Sequence, residues 1–143
     1  MDIKSSFVIS FILLFTIMPI GLAHNPPINA KVFFNSLDDG ALVTSPVRLK
    51  FGIKGYGITP AGTKDKIRHS AGHHHLLLDA PGLPDLDKPI PRNNQHLHFD
   101  QGETETVLDL LPGKHTLQLL LGDEDHECLD PPLFSDKITI TVQ

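Results

Sequence analysis

"VRLKFGIK", residues 47–54, decides the fold. Val47, Leu49, Phe51 and Ile53 are apolar, and the residues between them are charged or small. A period of two places successive side chains on opposite faces, so this is a strand with one face to a core. Working outward, "AKVFF" (30–34) also reads as a strand, and "NSLDDG" (35–40) carries turn chemistry. "YGITPAGTKDKIRHSAG" (56–72) has breakers and no period, so it reads as a long loop. "HHHLLLD" (73–79) is the next strand. "APGLPDLDKPIPRNN" (80–94) holds four prolines and must be a second long excursion. "QHLHFD" (95–100), "ETETVLDL" (103–110) and "LPGKHTLQLLLGD" (111–123) read as strands. "HECLDPPLFS" (126–135) is a loop, and "DKITITVQ" (136–143) closes the chain with Ile138, Ile140 and Val142 alternating. No segment has helical periodicity. About seven short strands separated by turns predict an all-β, immunoglobulin-like antiparallel two-sheet sandwich with two long Pro-rich loops.

The N-terminus reads differently. Lys4 precedes an apolar run over residues 7–23, with Gly21 and Ala23 spaced as a cleavage signal. Residues 1–23 are therefore expected to be a secretory signal peptide, and residues 24–143 a single His-rich β-sandwich domain. An uncleaved anchor is the alternative. Periplasmic or secreted location follows, with no membrane after cleavage. A formal net charge of -5 and the lack of a basic stripe argue against nucleic acid. Cys128 is the single cysteine, so no internal disulfide is possible.

Nine histidines, all within residues 24–143, are the compositional anomaly. Alternation puts Leu76 and Leu78 on one face of their strand, and His73 and His75 on the other. Leu97 and Phe99 likewise share a face opposite His96 and His98. With the larger apolar pairs inward, both strands carry His-x-His on the side away from the core. Residues two apart on a strand have Cα atoms about 6.6 Å apart, which lets two imidazoles lean onto one ion at about 2.0 Å. Two such pairs on neighbouring strands would give a four-nitrogen set that suits zinc or copper. The competing reading makes these imidazoles structural, donating to backbone carbonyls at a sandwich rim. His126 and Cys128, in the acidic "GDEDHECLD" loop, could add a nitrogen and a sulfur; an acidic solvated turn is the plainer reading. His74 reads as a satisfied core-edge residue, His115 as a structural corner residue and His69 as exposed. His24, if it becomes the mature N-terminus, could chelate copper through its amine and imidazole.

Taken together, "GHHHLLLD", "IPRNNQHLHFDQGETE" and "LPGKHTLQLLLGDEDHECLDPP", with the segment from "VFFNSLDDG" to "PAGT", resemble a family of short exported bacterial proteins. That family is catalogued as domain of unknown function 4399. The resemblance implies export and a single domain, and it implies no established activity. One departure stands out. The family pattern has a histidine just before "DPP", where this chain has Leu129 beside Cys128. A family metal site using that histidine would here lack a ligand or use sulfur. Glu103 and Asp100 also depart from the pattern.

Three functions compete. The first is an exported protein binding a transition metal, copper or zinc, through His73, His75, His96, His98 and His126, as a carrier, buffer or sensor. The second is a structural or partner-binding sandwich without metal, meeting another periplasmic protein. The third is a copper- or zinc-dependent enzyme, with Glu103 or Asp100 as a base. No nucleophile triad or phosphate loop stands out, so the enzyme ranks last.

Overall fold

The computed structural model describes residues 25–63 and 70–143. The expected signal peptide, His24 and His69 lie outside the described residues. The strands run β1 (Lys31–Phe34), β2 (Leu42–Val43), β3 (Val47–Lys54), β4 (Gly57–Ile58), β5 (Ala71–Leu78), β6 (His96–His98), β7 (Glu105–Leu108), β8 (Gly113–Gly122) and β9 (Ile138–Val142). Among the described residues there is no helix, and none long and apolar enough to cross a membrane. Two sheets form. One has the order β1-β3-β7; the other runs β2-β9-β8-β5-β4, with β6 also paired to β5. The all-β two-sheet architecture is as the alternation predicts. Two short pairings, β2 with β9 and β4 with β5, are parallel and depart from the antiparallel expectation.

β3 behaves as its period requires. Val47, Leu49 and Phe51 are buried, while Arg48 and Lys50 are exposed. These side chains meet Leu76, Leu117, Leu119, Leu121 and Ile140 from the larger sheet, forming the main core. Fully burying one Leu or Ile is worth ~1.5–3 kcal/mol, so this layer supplies most of the driving force for the fold. Gly52 lies under the Phe33 ring, where an added Cβ would stand 2.4 Å from it.

The outer face of the larger sheet is where the structure exceeds the sequence reading. β5 is buried along nearly its whole length, not on alternate residues. Leu77 and Leu120 point away from the main core and pack with Ala80 and Ile90, beside Leu83 and Cys128. The Pro-rich excursion and the segment after β8 therefore fold over this face as a third layer. The Ile90 N–H donates to the His126 carbonyl at 2.7 Å, tying the two covering segments together. Histidines on this face are enclosed, whereas an uncovered sheet face would have left them in water.

Candidate metal centre

β5 sends His73 and His75 to the covered face, and β8 pairs with it so that His73 stands opposite Gly122. On the other edge of β5, β6 pairs antiparallel with His98 directly opposite His75. The turn after β8 supplies His126. Its φ is 65°, a left-handed conformation rare for a residue with a side chain. Asp123 sets that turn: its Oδ1 accepts from the N–H groups of Asp125 and Glu127, both at 2.9 Å. The His126 N–H donates to the Asp123 carbonyl at 3.2 Å. The strained residue is thus held by its surroundings, the condition under which such strain persists at functional sites.

Four imidazoles converge. Ring centroids are 4.5 Å apart for His73 and His75, 4.3 Å for His75 and His98, 4.8 Å for His73 and His126, and 5.0 Å for His98 and His126. The potential ligand atoms of His73, His75 and His126 lie within 4.8 Å of one another, as do those of His98, Asp100 and His126. Asp100 Oδ1 is 3.1 Å from His126 Nε2, 3.7 Å from His98 Nδ1 and 3.9 Å from His73 Nε2. A tetrahedral set with bonds of about 2.0 Å has ligand atoms about 3.3 Å apart, so these separations bracket that of a shared centre.

Hydrogen bonding sharpens the picture. His73 and His75 are fully buried, and neither nitrogen of either ring has a hydrogen-bond partner. Nδ1 of His98 is also buried without one. Its Nε2 donates to the Pro91 carbonyl at 2.8 Å, which fixes the tautomer and leaves the Nδ1 lone pair turned to the cluster. Metal-bound histidines commonly carry such a backbone partner on the other nitrogen. Each buried polar atom without a partner costs ~1–3 kcal/mol. Gly122 makes room: a Cβ there would stand 2.6 Å from His75 Cε1 and 3.0 Å from Ile90 Cδ1.

Burial favours the neutral form of His73, His75 and His98. Burial pulls the pKa of His73 down to about 4, with the nearby His126 adding to the effect. Burial pulls His75 down to about 2, helped by His73 and His98. His98 is lowered too, chiefly by burial. Neutral imidazole is the form that binds a metal. Burial alone would raise Asp100, but hydrogen bonds from His126 and Arg92 outweigh it and bring its carboxyl down to about 2.

His96 does not join this group. It stands opposite Leu77, and its Nδ1 meets Asn93 Oδ1 at 2.9 Å. Alternation could not separate it from His98, because both lie on one face; register does. Cys128 lies in the apolar cluster of Leu77 and Leu120, where burial pushes its thiol up to about 11. Leu129 faces the main core. A histidine at that position would point into that core, away from the four rings. His74 was expected to be a satisfied core-edge residue. Its ring is fully buried and packs against Phe51 at 5.2 Å, with the Glu103 and Gly52 backbones beside its nitrogens. His115 has the corner role expected of it: Nδ1 bonds Asp79 and Nε2 donates to the Leu111 carbonyl, each at 2.8 Å. Glu103 caps its own turn by accepting from the Gln101 N–H. Asp100 is the participant that histidine spacing alone did not single out as part of the cluster. Its place two residues after His98 was the available signal.

The fold and this cluster define a class: an all-β two-sheet protein with buried, converging imidazoles beneath a loop layer. The chain belongs to the family described as Domain of unknown function (DUF4399), whose model matches residues 49–143. The matched span contains all four converging histidines. Searches of curated proteins and of solved structures found no match.

Proposed function

We propose that this protein binds one transition metal ion, copper or zinc, through His73, His75, His98 and His126, and serves as an exported carrier, buffer or sensor. The observation that carries this reading is the convergence of His73 and His75, fully buried with no hydrogen bond on their nitrogens, on His98 and His126; His74, equally buried and without a hydrogen bond, stands apart against Phe51. His115 and His96, by contrast, hold hydrogen-bond partners away from the cluster. The His73 and His75 rings, neutral and gathered against two further imidazoles, fit an ion that takes the lone pair of one nitrogen from each ring. The borderline nitrogen set suits both zinc and copper. Export is expected from the apolar N-terminal run.

Equilibrium dialysis of the purified protein against zinc tests the proposal. Zinc is the better probe because a free N-terminal His24 would hold copper on its own. The wild-type chain is expected to retain one equivalent, and a His73→Gln/His75→Gln variant to retain none. Equal retention by both would overturn the reading. A partner-binding sandwich without metal is the second reading, favoured by the apolar-lined hollow of Pro81, Leu83, Pro89 and Pro91 beside His96. It expects histidine substitutions to shift melting equally with and without chelator.

A further inference from the structure

The four imidazoles account for the nitrogen atoms at the centre, and one anionic group remains against them. Asp100 Oδ1 is the oxygen that sits 3.1–3.9 Å from nitrogens of His126, His98 and His73. Its other oxygen, Oδ2, is held at 2.6 Å by the Arg92 guanidinium, so the carboxylate is turned to present Oδ1 to the rings. Asp100 follows His98 by two residues, in the turn just past the end of β6, so one short segment carries both groups. Sulfur is absent from this arrangement: Cys128 stands outside both groups of converging ligand atoms. The chain's two methionines, Met1 and Met18, lie outside the described residues.

We propose that Asp100 is a metal ligand and makes the centre selective for divalent ions, Zn(II) or Cu(II), over Cu(I). This rests on the metal-binding reading above and says which oxidation state the site takes. Two physical reasons support it. Cu(I) is selected by soft thiolate and thioether donors, while carboxylate favours harder ions. A unit negative charge at bonding distance attracts a doubly charged ion twice as strongly as a singly charged one. Arg92 offsets this only in part. Its side chain is 58% exposed and touches the far oxygen, so solvent screens it while the ion would lie inside the ring cluster.

Competition against chelators of known affinity tests the claim, with Zn(II), Cu(II) and, anaerobically, Cu(I) as probes. Copper held elsewhere on the chain is subtracted using the His73→Gln/His75→Gln variant. Asp100→Asn keeps an acceptor for His126 and removes the charge. It is expected to weaken Zn(II) and Cu(II) by roughly tenfold to a hundredfold and Cu(I) by less than about threefold. The copper midpoint potential should then rise by about 59 mV for each tenfold change in the ratio. An equal loss for all three ions would overturn the role of Asp100 and leave the metal reading standing. Failure of the wild-type chain to bind any of the three would overturn the metal reading itself. Should Asp100→Asn not fold, the wild-type potential decides: below the aqueous Cu(II)/Cu(I) couple supports divalent selectivity, and above it overturns it.

Discussion

At the scale of single residues, the histidines sort by what their nitrogens touch. His115 faces a carboxylate on one side and a carbonyl on the other, two acceptors that only the protonated ring can serve at once, so these partners favour the cation. The bond to Asp79 raises its pKa above the ordinary value, with the Leu111 carbonyl adding to it. Its stabilising contribution is therefore present below pH 6.5 and lost as pH rises through the raised value. His73 and His75 are the reverse case, buried, neutral and without a hydrogen bond. A glycine makes their packing possible. Gly122→Ala forces the His75 ring and Ile90 to move, at a cost of about 1–3 kcal/mol. Zinc affinity should fall by roughly tenfold, because small displacements of a supporting shell carry that effect. Urea unfolding and chelator competition on the variant measure both. Unchanged affinity would mean that the ring position does not matter.

At the scale of elements, the strands were legible and the cover was not. Residues 47–54 and 138–142 alternate so regularly that their inward faces could be named from the sequence. The pairing of β5 with β6, which the His-x-His argument had to assume, is present. The expectation that these histidines would face away from the core is correct for the main core only, because the Pro-rich excursion and the β8–β9 segment add a layer that no local period announces. β2 and β4 are two residues each, too short for any period to register. His126 was legible as a residue type in an acidic loop; its left-handed backbone and its aim at the cluster come from the Asp123 turn. Asp123→Ala removes two hydrogen bonds within that turn, and each is worth ~0.5–1.5 kcal/mol net. The expected result is weaker zinc binding, read by competition, with the strand signal in circular dichroism retained. Full affinity with a loosened turn would show that His126 is not a ligand.

Across the whole molecule, the cost of burying neutral imidazoles becomes a pH dependence. Burial lowers His73 and His74 to about 4 and His75 to about 2, from 6.5. The unfolded chain takes up protons at these positions near pH 6.5, and the folded chain resists them until much lower pH. Stability of the metal-free protein is thus present above pH 6.5 and falls as pH drops towards 4. Each ring contributes a slope of about 1.4 kcal/mol per pH unit. Urea midpoints in chelator at pH 7 and pH 5 check this, and equal midpoints would contradict it. The core of Leu49, Leu76, Leu119 and Ile140 sets how far the fold can bear that loss. Added zinc should raise the midpoint at pH 7 and lose its effect as acid competes for the rings.

The sharing of one ion by imidazoles from β5, β6 and the β8–β9 turn is the feature from which the zinc predictions follow. X-ray absorption on the zinc-loaded protein tests it most directly. Nitrogen scatterers at about 2.0 Å with the outer-shell pattern of several imidazoles are expected, and no sulfur at about 2.3 Å. A sulfur shell, or oxygen neighbours without imidazole scattering, would contradict it.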